Sequence, residues 1–287
     1  SIGVKKGDVV AIYVENRPEL LAVVIGCAKI GAVNALLNTQ QVGKVLTHSF
    51  NLVQPRVAVV GEELQKHFDE VREHLEINAD AVYYLADTNT LEDAGTAPAG
   101  YRNLATEIRN APAHDPDSVN RIYIEDPLFY IYTSGTTGLP KAVIFNHGRW
   151  MKAYGGFGVT VMDLQPRDRI YVTLPFYHAT GMCVCWGSAL AGAAGLVMAR
   201  KFSASRFWED IRKYDVTAFG YVGELCRYLM EQPEKPNDRD HKVTKIIGNG
   251  MRPNVWRPFK QRFGIDKVYE LYASSEGNVG FMNLLNF

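Results

Sequence analysis

The sequence predicts an α/β protein with layered, mostly parallel β-sheets flanked by helices, and three observations carry that expectation. Short apolar segments rich in branched and aromatic residues recur at 8–14, 56–60, 81–86, 128–132, 169–174, 216–222 and 267–272, the pattern of buried strands. Helix signals stand between most of them, such as Pro18 and Pro253 at first-turn positions and Gly31 at an end. Glycine- and hydroxyl-rich turns follow several of the strands, where ligands bind in open α/β sheets. Strand–helix alternation implies parallel pairing with helices on the sheet faces.

Taken in order, 8–14 reads as a strand. Pro18 opens a helix whose residues 20–28 are apolar nearly all round, so it should be well buried. A strand at 32–37, a helix at 42–52, a strand at 56–60, a charged and exposed helix at 62–75 and a strand at 81–86 follow. Residues 87–119 are rich in Asp, Thr, Asn, Ala, Pro and Gly. They read as a long surface connection with a helix near 104–109, either a domain boundary or an insertion between strands. Segment 142–145 is strand-like and a helix starts at His147. Residues 179–199 carry no charge and are long enough to cross a bilayer. Their Ala- and Gly-rich composition gives weak hydrophobic drive, so a buried helix followed by a buried strand is expected. Ser203 or Ser205 is placed to cap a helix reaching Tyr214. The helix 223–230, a solvated connection at 232–242, a short strand at 245–247, a helix from Pro253 and the strand 267–272 complete the pattern.

At 287 residues the chain holds one large or two ordinary domains. Lys plus Arg and Asp plus Glu both number 31, which removes the electrostatic argument for nucleic-acid binding. Four irregularly spaced cysteines argue against a disulfide framework and for a reducing, cytoplasmic compartment. Cys183 and Cys185 with His178 match no common zinc spacing. The chain starts Ser1-Ile2-Gly3 without a charged-then-apolar leader and stops inside the apolar run 281–287. Both ends read as cut, so the expectation is a fragment.

The run Tyr132-Thr133-Ser134-Gly135-Thr136-Thr137-Gly138-Leu139-Pro140-Lys141 carries the chemistry. Glycines let the backbone approach a ligand, successive backbone N–H groups make an anion-binding concavity, and four hydroxyls and Lys141 add donors and charge. This is the composition of a triphosphate cradle. It is not a Walker A loop, because Lys141 follows Pro140 and precedes Ala142. Three further motifs stand at strand ends. Pro175-Phe176-Tyr177-His178-Ala179-Thr180-Gly181 offers a histidine to orient a carboxylate or gate a pocket. Gly248-Asn249-Gly250-Met251 could lie flat against a planar base. Tyr272-Ala273-Ser274-Ser275-Glu276 offers a ring to stack, a hydroxyl for phosphate and a carboxylate for Mg²⁺. Each taken singly is equally an ordinary turn.

The phosphate run and the order of the four motifs resemble the adenylate-forming enzymes. Gly248-Asn249-Gly250-Met251-Arg252-Pro253, Glu270-Leu271-Tyr272-Ala273-Ser274-Ser275-Glu276-Gly277-Asn278 and Tyr221-Val222-Gly223-Glu224-Leu225-Cys226-Arg227-Tyr228-Leu229 resemble the fatty acid transport protein, or very-long-chain acyl-CoA synthetase, branch. The resemblance covers essentially the whole chain. It implies the incomplete large N-terminal domain of an acyl-CoA synthetase, using ATP, Mg²⁺ and coenzyme A on a fatty acid. Thr133, Ser134, Gly135, Thr136, Thr137, Gly138 and Lys141 would hold the triphosphate. Gly248, Asn249, Gly250, Met251 and Tyr272 would bind adenine, and Ser275 and Glu276 would contact phosphate and Mg²⁺. His178 would sit near the acyl carboxylate, with Tyr221, Gly223 and Glu224 along the acyl tunnel. Lys141, His178 and Glu276 would form the catalytic set. Ala273 and Ser275 depart from the commoner Gly and Thr, but stay small or hydroxyl-bearing. Nothing after Glu276 resembles the ribose-binding Thr-Gly-Asp element, and no C-terminal domain with a catalytic lysine follows. A non-catalytic fatty-acid-binding or transport-linked module, or a ligase for a bile acid, carnitine or an aryl acid, remain alternatives. The resemblance leaves peripheral membrane association and oligomeric state open.

Overall fold

A computed structural model of the chain describes residues 3–88, 94–134, 138–277 and 279–285. Internal contacts divide it into two compact units, 1–148 and 149–287.

The first unit is built on a seven-stranded sheet. Its elements are β1 (Val9–Tyr13), α1 (Pro18–Ile30), β2 (Val33–Leu36), α2 (Gly43–Leu52), β3 (Val57–Gly61), α3 (Gln65–Asp69), β4 (Val82–Leu85), β5 (Arg102–Asn103), α4 (Leu104–Ile108), β6 (Pro127–Thr133) and β7 (Lys141–Asn146). The strand order is β5-β4-β3-β1-β2-β6-β7. Every pairing is parallel except β6 with β7. β1 and β3 are Val-, Ile- and Ala-rich and buried almost throughout, as central parallel strands must be when both faces are covered. Phe50 of α2 meets Phe68 of α3 edge to face at 5.8 Å, over Tyr13, Val60 and Val82 of the sheet. Each such ring contributes roughly 1.5–3 kcal/mol through burial. Arg17, just ahead of α1, is buried. It donates to the carbonyls of Leu85 (2.7 Å) and Ala86 (3.0 Å) and lies 3.7 Å from Glu63 and 3.5 Å from Asp87, the partners a buried cation needs.

Several expectations change here. α1 buries one stripe only, Leu20, Leu21 and Val24, while Ala22 and Gly26 are exposed and Ile25 is 41% exposed. An all-round apolar sequence does not by itself supply a second layer. The outer side of α1 instead borders an apolar cavity of about 670 Å³, shared with α4 and the sheet. The single helix expected at 62–75 is three short pieces: a 3-10 turn Glu62–Leu64, α3, and a second 3-10 turn Arg72–His74. The connection 87–119 is an insertion rather than a boundary, since it contributes β5 to the same sheet.

The second unit carries a six-stranded sheet. α5 (His147–Ala153) crosses the division and continues as a π-helical stretch, Tyr154–Met162. There follow β8 (Arg169–Val172), a π-helical stretch Thr180–Trp186, α6 (Gly187–Ala191), β9 (Gly195–Met198), α7 (Phe207–Lys213), β10 (Ala218–Val222), α8 (Gly223–Met230), β11 (Lys245–Asn249), α9 (Pro253–Phe263), β12 (Lys267–Ala273) and β13 (Gly280–Asn283). The order is β13-β12-β11-β10-β8-β9, with only β12–β13 antiparallel. The uncharged stretch 179–199 is the expected buried helical segment, but β9 is a partly exposed edge strand. Among the described residues no helix is long and apolar enough to cross a membrane. α7 is capped by neither serine: Arg206 holds the N-cap without a side-chain bond, and the Ser203 and Ser205 hydroxyls bond each other at 3.2 Å. Trp208 stacks on Phe263 at 4.4 Å, and Phe207 meets Phe219 edge to face at 5.0 Å, forming an aromatic core between α7, α9 and the sheet.

His241 stacks on the outer face of that core, 4.7 Å from Trp208, and its Nδ1 accepts the Val243 N–H at 3.1 Å. That bond requires the neutral ring, and burial holds the pKa below the ordinary histidine value. The unfolded chain therefore binds more protons between the lowered value and about 6.5, so stability rises with pH across that window and is lost as pH falls through it. Urea midpoints at pH 7.5 and 5.5 should differ less in His241→Phe, which keeps the stack, than in the wild type. Some slope should persist, because burial also lowers His147 and His178.

Candidate functional site

β8, β10, β11 and β12 run parallel as neighbours. Ala218 is paired with Ile170, Tyr221 with Gly248, and Gly248 with Glu270. Their carboxyl ends therefore share one edge of the second unit's sheet. Pro175 to Gly181 follows β8, Tyr221 to Glu224 leaves β10, Gly248 to Met251 leaves β11, and Tyr272 to Glu276 leaves β12. Register alone brings these four predicted motifs side by side.

Glu270 organises the middle of this edge. One of its oxygens accepts the N–H groups of Gly250 and, at 3.2 Å, Met251. The other accepts the Tyr221 hydroxyl at 2.6 Å. Gly250 has φ +80°, and the two successive N–H groups converge on one carboxylate as in an anion-binding nest. Burial raises the Glu270 pKa, while the bonds from Tyr221, Gly250 and Met251 oppose the rise. Burial and the adjacent carboxylate push the Tyr221 phenol far above its usual value. Tyr221 is fully buried. Glu270 was given no role from the sequence, although an acidic residue among Val268, Tyr269, Leu271 and Tyr272 was the available signal.

The glycines here answer to backbone rather than to open space. A Cβ on Gly248 would collide with the Tyr221 carbonyl, and one on Gly223 with the Gly250 carbonyl. Glu224 is exposed at the start of α8, 2.8 Å from Arg227 and 3.9 Å from Arg252.

Tyr272 is 76% exposed, Ser275 is half-buried and Glu276 is exposed. Ser274 shapes this loop: its Oγ accepts the Glu276 N–H at 3.2 Å and its carbonyl accepts the Gly277 N–H at 3.0 Å. Arg149 of α5 donates from Nη2 to the carbonyls of Ser275 (2.9 Å) and Gly277 (2.6 Å), a contact with no local sequence signal. Asn278 lies outside the described residues. His178 stands two residues before the π-helical stretch, its N–H bonded to Pro175 O at 3.2 Å and its ring 4.6 Å from Tyr177. The ring is exposed by surface area yet set amid dense protein, and desolvation lowers its pKa. Cys183 and Cys185 are buried free thiols, pushed up to about 12 by burial, the character of inert packing thiols.

In the first unit the described residues of the hydroxyl-rich run, 132–134 and 138–141, lie at the end of β6 and the start of β7. Thr133 and Lys141 are cross-strand partners at its mouth. Gly138 has φ +107°, a conformation L side chains avoid. Ser134 and Lys141 are exposed, and the Pro140 carbonyl lies 3.0 Å from His48 Nε2. A groove of about 590 Å³ runs along this edge, lined by His48, Tyr130, Pro140, Lys141 and Ile144 among others. Gly135, Thr136 and Thr137 lie outside the described residues.

Parallel strands that deliver glycine-, hydroxyl- and acid-bearing turns to one edge define a ligand-binding protein of the open α/β class. Within that class the chain belongs to the AMP-binding enzyme family, whose profile matches residues 1–286. It is 40% identical over 284 residues to the medium/long-chain-fatty-acid–CoA ligase FadD6 of Mycobacterium tuberculosis, covering 99% of this chain and 45% of that protein. It is 39% identical over 285 residues to the rat long-chain fatty acid transport protein 2, covering 98% and 44%. The chain thus spans somewhat under half the length of these relatives. Among solved structures it is similar to the N-terminal domain of FACL13 from Mycobacterium tuberculosis, with TM-score 0.78 and 22% identity over 96% of this chain and 64% of that one. It is also similar to the anthranilate CoA ligase AuaEII, with TM-score 0.83 and 19% identity over 96% and 52%. At those identities the likeness is one of fold.

The close approach at Gly248 gives a direct check. Gly248→Ala should destabilise the chain by about 1–3 kcal/mol through overpacking, read from urea unfolding. An unchanged midpoint would mean that the β10 and β11 backbones can separate freely.

Proposed function

We propose that the chain is the ATP-binding part of the large N-terminal domain of a fatty-acyl-CoA synthetase. In the reaction proposed for the whole enzyme, a fatty carboxylate oxygen attacks the α-phosphorus of ATP. Acyl-adenylate forms and pyrophosphate leaves. The sulfur of coenzyme A then attacks the acyl carbon, the thiol gives up its proton, and AMP leaves as acyl-CoA forms. The observation that carries this reading is the alignment of four motifs along one carboxyl edge of adjacent parallel strands, in a member of the AMP-binding family. The names of the relatives, a fatty-acid–CoA ligase and a fatty acid transport protein, support a fatty acid as the substrate.

Each residue's role follows from its chemistry. Lys141 and the hydroxyls of Thr133, Ser134, Thr136 and Thr137, with Gly135 and Gly138, supply charge and donors to the triphosphate. The exposed Tyr272 ring offers a face to adenine, beside the backbone of Gly248, Asn249, Gly250 and Met251. Ser275 donates to phosphate. His178, kept neutral by desolvation, orients the acyl carboxylate. Gly223 and Glu224 border the acyl path, and Tyr221 braces it through Glu270. Glu276 is a hard oxygen donor on an exposed turn, and among the described residues no cluster of three His, Cys, Asp or Glu side chains exists. That donor set fits Mg²⁺, which is commonly held by one or two carboxylates, substrate phosphates and water. Bound there with ATP, the ion would neutralise phosphate charge; Glu276 is the residue that would hold it. The four free thiols support a reducing, cytoplasmic setting, in which membrane contact would be peripheral.

Calorimetric titration of the chain with Mg·ATP and with a non-hydrolysable long-chain acyl-adenylate analogue tests this. Saturable binding of both is expected. Lys141→Ala should weaken Mg·ATP binding by about tenfold or more, the size of a lost charge-assisted bond. Glu276→Gln should raise the Mg²⁺ concentration needed for half-saturation. A folded chain that takes up neither ligand overturns the proposal.

A further inference from the structure

We propose that Arg149 is a positioning residue, which holds the loop after β12 in the shape that presents Ser275 and Glu276. This rests on the adenylation reading for the role of Glu276, but the grip itself is geometric. The loop spans 274–279 between the antiparallel strands β12 and β13. Among the described residues, Ser274 ties the turn locally: its Oγ accepts the Glu276 N–H and its carbonyl the Gly277 N–H. These bonds set a tight turn without fixing its direction relative to the sheet. Arg149 supplies that fixation from another element: a single Nη2 reaches the carbonyls on both sides of Glu276, at 2.9 and 2.6 Å. The Ser275 and Gly277 carbonyls are thereby tied to one planar group, and rotation of the backbone at Glu276 breaks at least one bond.

Two observations fit a positioning role. The neighbouring Trp150 packs on Trp186 with ring centroids 5.1 Å apart, so α5 is anchored independently of Arg149. Burial lowers the Arg149 pKa, so the guanidinium is partly desolvated, and carbonyl acceptors compensate that cost. Lysine has a compact ammonium on a different stem in place of the planar fork and should restore only part of the grip.

The test compares wild type, Arg149→Lys and Arg149→Met by amide hydrogen exchange of residues 272–277, without ligand, alongside Mg·ATP titration. Met keeps the aliphatic body of the side chain and leaves the Trp150–Trp186 contact in place. The expected result is exchange in the loop faster by about tenfold or more in Arg149→Met, an intermediate value in Arg149→Lys, unchanged exchange in β10 and β11, and Mg·ATP affinity falling in the same order. Equal loop exchange in wild type and Arg149→Met overturns the proposal. So does a loosened loop with undiminished Mg·ATP affinity, because Glu276 is then placed without Arg149. If the wild-type chain takes up neither Mg·ATP nor the acyl-adenylate analogue, the adenylation reading fails, and loop exchange still decides whether Arg149 holds the loop.

Discussion

Backbone lies directly against backbone where β10, β11 and the start of α8 meet, and the second unit depends on that closeness. The Tyr221 carbonyl occupies the space a side chain would need at Gly248, and the Gly250 carbonyl does the same at Gly223. The strands can then stay in register up to their last residues, with Tyr221 opposite Gly248 and Val222 opposite Asn249. Were they splayed by one methyl group, the turn after β11 would shift, and the Glu270 carboxylate would no longer meet Gly250 and Met251 from below. Packing, register and the hydrogen bonds of the turn are one arrangement seen at three levels.

Much of this was legible in the sequence because it depends on short-range pattern. Val-, Ile- and Tyr-rich runs found nearly all the strands, Pro18 and Pro253 marked helix starts, and the hydroxyl-rich run fell between two antiparallel strands, with Thr133 opposite Lys141. What escaped was decided at a distance. Glu270 acts on residues 20 positions away and Arg149 on residues 126 and 128 positions away, so no local window contains both partners. β5 is two residues long and β13 is an edge strand with two of its four residues exposed; both are held by a neighbour rather than by their own periodicity. The apolar surround of α1 was visible in the sequence, but which side is covered depends on layers that composition does not encode. The serines before α7 satisfy each other instead of the helix, a competition that capping preference alone cannot rank.

The hydroxyl-rich run also sits differently from a glycine-rich loop that opens a helix. A glycine-rich loop that opens a helix uses the helix N-terminus as part of the site. Here the loop joins two antiparallel strands, and Thr133 and Lys141 face each other across the ladder at its mouth. Under the proposed reading, charge compensation for the phosphates falls to Lys141. A lysine at the first position of the return strand suits that requirement, because the ladder fixes its backbone while its flexible stem reaches outward.

The nest at Gly250 and Met251 has a consequence for polarity. Nests usually serve external anions, and this one is already filled by the chain's own carboxylate. Its two donors are committed, and a carboxylate lies behind them. An incoming anion would find both N–H groups already bonded to Glu270. Under the proposed reading, the turn offers adenine a stretch of backbone whose donors Glu270 has already taken, so what this surface presents is settled by a residue that need not touch the ligand.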